Sequence, residues 1–110
     1  MITSTDVTVS REPGPRRYEA RIAGRGVAGF VEYRESDGLV VLTHTEVGPS
    51  FEGRGVGDAL ARAALDDIRE RGLKALVTCP FIRSWLRRHP ESLDVLFTVP
   101  RVELVDRGPT

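Results

Sequence analysis

The sequence predicts a mixed α/β fold: four antiparallel strands followed by helix, strand and helix, in the order ββββ–α–β–α. Three observations carry this. The first half alternates apolar and polar residues, with turn signals between the runs. Residues 56–71 repeat apolar side chains at helical spacing. A short apolar run and a second amphipathic stretch then follow.

Residues 5–10 (TDVTVS) place Val7 and Val9 on one face of a first strand. The loop EPGPRR separates it from a second strand, Tyr18 to Ala23. Gly24-Arg25-Gly26 is a turn, and Val27 to Arg34 is a third strand. Asp37-Gly38 is the pair favoured where both central turn residues need positive φ. A fourth strand runs from Leu39 to Val47, and Gly48-Pro49-Ser50 ends it. In the first helix Val56, Leu60, Ala64 and Ile68 recur every fourth residue, widened by Ala61 and Leu65. Gly72 stands at the left-handed C-cap position. Leu73 to Thr78 is a short strand, and the strand–helix–strand unit is a right-handed parallel crossover by default. Pro80 opens a second helix that runs to about His89. Phe81, Ile82, Trp85 and Leu86 lie on one side of it and Arg83, Arg87 and Arg88 on the other, and Pro90 ends it. Leu93 to Phe97 reads equally as helix or strand, and VELV (102–105) as an edge strand. Residues 1–5 and 106–110 are expected to fray.

The 110 residues suit a single domain. The formal net charge is +0, so the basic surface that nucleic-acid binding requires is not indicated. A single cysteine, Cys79, excludes an internal disulfide and fits a reducing compartment. Neither a secretory signal nor an apolar run of about 20 residues is visible. The expectation is a cytoplasmic protein without membrane or nucleic-acid partners and without a metal site.

The segment FEGRGVGDAL (51–60) is the most informative. Gly53, Gly55 and Gly57 precede a helix that has no Ser, Thr, Asp or Asn at its entry. The first amides of a helix lack partners within it, and a capping side chain usually meets them. Glycines leave these donors open and let a ligand approach the backbone. The helix dipole adds about half a positive charge at that end. The pattern reads as an anion site, with phosphate the leading candidate. The P-loop is excluded by the missing lysine. The dinucleotide fingerprint fails because Asp58 or Leu60 stands where a third glycine belongs.

The loop instead fits R/Q-x-x-G-x-G/A, and together with HTEV (44–47), EGRGVGDALARAALD (52–66) and TCPFIRSWLRRHPE (78–91) it resembles the small, single-domain branch of the GCN5-related N-acetyltransferases. The resemblance spans residues 17–92. It implies that acetyl-coenzyme A binds with its pyrophosphate on the amides around Gly53, Arg54, Gly55, Val56, Gly57 and Asp58. Its pantetheine arm would run beside backbone groups near Thr45, Glu46 and Val47. The implied activity is acetyl transfer to a primary amine on a protein or a small molecule. The alternative is a module that holds coenzyme A or an acyl-coenzyme A without turnover. Glu52 departs from the family's Arg or Gln, and it is expected to point away from the loop.

Many members use a tyrosine of the last helix to protonate the departing thiolate. Here the tyrosines are Tyr18 and Tyr33, both in the early strands. Cys79 is the candidate replacement, since a helix N-terminus favours thiolate. It reads as nucleophile, proton donor or buried bystander. His44 and Glu46 share a strand face by the two-residue alternation. Either could relay the proton of an incoming ammonium, or His44 could make a fixed hydrogen bond. Arg83, Arg87 and Arg88 could reach the 3′-phosphate of coenzyme A or face solvent, and Trp85 is expected in the core.

Overall fold

The computed structural model describes residues 7–98. Its elements are strands β1 (Val7–Glu12), β2 (Arg17–Ile22), β3 (Gly26–Ser36) and β4 (Leu39–Val47), helix α1 (Val56–Glu70), strand β5 (Lys74–Val77) and helix α2 (Pro80–Arg88). Short 3-10 turns occupy Pro49–Phe51 and Pro90–Val95. The five strands form one sheet in sequence order. The first four run antiparallel, and β5 lies parallel to β4. This is the expected order. The segment around 93–97 resolves into the second 3-10 turn followed by one bridge, with Leu96 beside Ala75. The VELV stretch and both expected frayed ends lie outside the described residues.

Local chemistry accounts for the boundaries. Asp37 and Gly38 take φ of 52° and 80°, the geometry a tight hairpin demands. The end of α1 is a Schellman motif: the Gly72 amide donates to Arg69 and the Leu73 amide to Ile68, with Gly72 at φ 72°. Pro80 sits at the first turn of α2, where its missing N–H costs nothing.

One core joins the sheet to both helices. Val7, Val9, Tyr18, Ala20, Val31, Val40 and Leu42 project from the strands onto Leu60, Ala64, Leu65 and Ile68 of α1. Ile82, Trp85 and Leu86 of α2 complete the cluster. Both helices thus pack into one continuous core. The opposite sheet face carries a polar group in which Glu19 is paired with Arg17 and Arg21 at 2.8 and 2.7 Å, with the Arg17 guanidinium over Phe30.

Two irregularities decide what β4 presents. Beyond Leu42 the strand parts from β5, since their pairing spans only Leu39–Leu42 against Lys74–Val77. A β-bulge also falls on the β3–β4 ladder: Glu32 faces His44, Tyr33 faces Leu42, and Thr43 is surplus. The Thr43 hydroxyl donates to the Glu32 carbonyl at 3.2 Å. Strict alternation would put His44 on the same side as the buried Val40 and Leu42. The surplus residue reverses this, so Thr45 and Val47 turn to the helix side while His44 and Glu46 turn outward.

Candidate functional site

The three glycines of the 51–60 segment do different jobs. Gly53 and Gly55 adopt φ of 81° and 79°, the left-handed region that side chains disfavour. Gly55 is the N-cap of α1, and no side chain caps the helix. Gly57 lies inside the first turn because of a close approach. A Cβ there would stand 2.5 Å from Phe81 Cζ.

The first intrahelical bond runs from the Ala59 amide to the Gly55 carbonyl at 3.0 Å. Among the described residues, no backbone carbonyl accepts from the amides of Gly55, Val56, Gly57 or Asp58. The Arg54 amide does have a partner, the Phe51 carbonyl at 3.3 Å. Four successive donors at the positive end of a 15-residue helix therefore remain free.

Asp58 could have swung back to cap these amides from the first turn. Its Oδ1 instead accepts from the buried Trp85 Nε1 at 2.8 Å. The His89 ring stacks on Trp85 with centroids 3.9 Å apart, and its Nε2 stands 3.9 Å from the same Asp58 oxygen. Trp85 is fully buried, as expected, and it draws the Asp58 carboxylate toward α2.

A cleft of about 360 Å³ opens over these amides. Thr45, Val47, Gly53, Gly55, Val56, Gly57 and Asp58 line it, joined by Phe51, Glu52 and Phe81. Arg54, His44, Glu46 and Cys79 are not among the lining residues. Glu52, expected to point away, contributes to the wall. Phe81, grouped by helical spacing with the core residues, is 40% exposed and forms the opposite wall. Phe51 and Phe81 were not recognised from the sequence. The only trace was an aromatic residue next to the glycine loop and another directly after Cys79-Pro80.

Behind the cleft lies the open edge of β4. The Gly48 amide donates to the Ala28 carbonyl at 2.8 Å, which sets the alternation of the ladder. The backbone groups of Glu46 and His44 then face β3, and those of Thr45 and Val47 face away toward the gap left by β5. The Leu42 carbonyl closes the inner end of this gap by accepting from both the Thr78 and Cys79 amides, at 3.0 and 3.2 Å. Cys79 is the N-cap of α2, 2% exposed, with its sulfur 3.0 Å from the Thr45 hydroxyl.

His44 and Glu46 do meet each other, Nε2 to Oε1 at 3.2 Å. They do so on the outer face of β4, across the strand from the cleft. Tyr18 is buried and donates to Asp67 at 2.8 Å. Burial and the neighbouring Asp67 carboxylate hold its phenol far above the usual tyrosine range. Tyr33 is buried beside it. Neither tyrosine is among the residues that line the cleft.

A free helix entrance opening beside an unpaired strand edge is the arrangement the resemblance implies, and comparison with known proteins bears the resemblance out. The sequence model of the GCN5-related N-acetyl-transferase family matches residues 17–95. The chain belongs to this family. Protein NATD1 of Xenopus tropicalis is 33% identical over 91 residues, covering 82% of this chain and 84% of that protein. Protein NATD1 of Mus musculus is 33% identical over 85 residues, 76% of this chain and 77% of that protein. A GCN5-like protein of Staphylococcus aureus shares the fold, with TM-score 0.64 at 20% identity over 93% of this chain and 99% of that one. Membership makes acetyl transfer from acetyl-coenzyme A the general chemistry of this fold. No helix among the described residues is long and apolar enough to cross a membrane. Among the same residues, no group of three His, Cys, Asp or Glu side chains is placed to hold a metal ion.

Proposed function

We propose that this chain is an acetyl-coenzyme A-dependent N-acetyltransferase acting on a primary amine in a reducing, cytoplasmic setting. One observation carries the reading: the free amides of Gly55, Val56, Gly57 and Asp58 open into a cleft that continues along the unpaired edge of β4. The donor set fits a diphosphate followed by an amide-bearing arm. The helix amides and dipole suit the anionic group. The outward backbone groups of Thr45 and Val47 suit an extended chain that pairs like a strand. Gly53 and Gly55 supply the turn, and Phe51 and Phe81 exclude water from the two sides. Acetyl-coenzyme A supplies an acetyl group activated as a thioester.

The chain's own residues then have separable tasks. An ammonium must lose a proton before its nitrogen can attack. His44 Nε2 and Glu46 Oε1 form the acceptor pair for that proton, on the face of β4 away from the cleft. An amine arriving there meets the gap between β4 and β5 from the side opposite the cleft. Cys79 holds a proton at the inner end of the gap, and Thr45 orients its sulfur.

A second reading has one observation in its favour. Among the described residues Cys79 is the one candidate acid near the gap, and it is almost wholly buried. A protein that holds coenzyme A or an acyl-coenzyme A without turnover would tolerate that burial. Calorimetry with coenzyme A, followed by thiol release from acetyl-coenzyme A over a panel of protein and small-molecule amines, tests both. Amine-dependent thiol release supports the transferase. Tight binding without release supports the module, and absence of binding removes both.

A further inference from the structure

A second concavity, of about 550 Å³, opens where the β1–β2 turn, the end of β3 and the end of α1 meet. Arg11, Arg16, Arg34 and Arg71 line it, and Glu35 is the one carboxylate among its lining residues. It sits at the opposite end of α1 from the glycine entrance, about 22 Å along the helix.

The guanidinium groups there are under-neutralised. Arg71 gives Nη2 to both oxygens of Glu35, at 2.9 and 2.8 Å. Its Nη1 is buried without a hydrogen-bond partner, and Asp67 Oδ2 is 3.7 Å away. Buried polar groups of this kind normally find partners. Asp67 is itself shared, receiving Tyr18 Oη at 2.8 Å and facing Arg11 Nε at 3.2 Å. Arg16 and Arg34 take part in no ion pair among the described residues.

The backbone also holds an arginine where glycine would be easier. Arg16 has φ 60°, in the left-handed region. Its carbonyl accepts from the Tyr33 amide at 3.0 Å, which fastens the turn against β3 and brings Arg16 close to the strand that carries Arg34. Strained backbone conformations held in place in this way cluster at ligand clamps and switch regions.

We propose that this pocket binds a phosphate dianion, either free or as the end group of a small phosphate ester. A guanidinium presents paired N–H donors that match two phosphate oxygens. The negative end of the α1 dipole lies close by, so the arginines supply the attraction. The volume exceeds that of phosphate alone and leaves room for an ester arm.

The test is an NMR titration of the labelled full chain at constant ionic strength, following backbone amides and arginine Nε–H groups. Inorganic phosphate is the probe in one arm and glycerol 3-phosphate in the other. Saturable shifts at Arg11, Arg16, Arg34 and Arg71, weakened at least about tenfold in Arg16→Ala/Arg34→Ala, support the site. Tighter binding of the ester identifies an ester ligand, and equal binding identifies free phosphate. Shifts that never saturate, that centre on residues 53–58, or that persist in the double variant overturn the proposal. The two sites report through different residues, so failure here is distinct from failure of the coenzyme A reading.

Discussion

The Thr45 hydroxyl and the Cys79 sulfur touch at 3.0 Å across the gap between β4 and the start of α2. They form the next tie after the Leu42 carbonyl, which holds the Thr78 and Cys79 amides. Thr45→Val keeps the shape and removes the hydroxyl. Coenzyme A affinity should change by less than about threefold while amine acetylation falls roughly tenfold, as expected for loss of an oriented proton donor. Cys79→Ser should retain more activity than Cys79→Ala. Equal losses in the two Cys79 variants, with an unaltered pH profile, would show that the sulfur only fills space.

Gly57 and Phe81 form a second testable pair. The Cβ of Gly57→Ala would stand 2.5 Å from the Phe81 ring tip. The ring is 40% exposed, so it can swing rather than force the helix apart. The expected result is a loss of stability under about 1 kcal/mol with coenzyme A binding weakened about tenfold. In a Phe81→Ala background the same substitution should be nearly silent, a non-additivity that calorimetry on the four proteins measures.

Asp58 ties the start of α1 to α2 through Trp85. Asp58→Ala strands the buried indole N–H and should cost about 1–3 kcal/mol in urea unfolding. Asp58→Asn keeps an oxygen acceptor and should recover most of that. If both variants unfold at the wild-type midpoint, the indole contact contributes nothing to the fold.

His44 and Glu46 face away from the cleft, and their removal should spare binding. His44→Gln and Glu46→Gln are each expected to leave the coenzyme A dissociation constant within about twofold. Amine acetylation should fall by about ten- to a hundredfold, with the deficit shrinking at alkaline pH, where more of the amine is already neutral. Weakened coenzyme A binding in either variant would contradict the face assignment.

Tyr18 predicts the alkaline behaviour. Its folded pKa is raised by burial and by Asp67. Its contribution is therefore complete below the unfolded value near 10 and is lost as pH rises beyond it, because the unfolded chain ionises first. Stability should be level up to about pH 10 and then decline. Tyr18→Phe should start about 1 kcal/mol lower and decline less steeply. Parallel alkaline limbs for the two proteins would exclude Tyr18 as the source.

The sequence exposed those features that depend on neighbours along the chain. The Asp37-Gly38 hairpin, the Gly72 cap, the helix stripe and the uncapped entrance at Gly55 are all local, and each could be seen in the residue order. Features set by contacts between distant segments could not. Gly57 read as one of three glycines that keep the helix entrance open, until Phe81, from the next helix, was seen to occupy its missing side chain. Asp58 read only as the donor of one amide at the helix entrance, but its side chain has a partner 27 positions away. The pairing of His44 with Glu46 followed from alternation, yet which side they face depended on a bulge that no periodicity reveals.

That bulge lets β4 carry one residue more than β3 while the pairs on either side of it stay matched. Exchanging Thr43 for another side chain would forfeit one modest hydrogen bond. Deleting its codon would set His44 directly after Leu42, each still opposite its present partner, and would cost β4 the bend that the surplus residue makes. The number of residues in this stretch thus governs the curvature of the strand, not which side its later residues face.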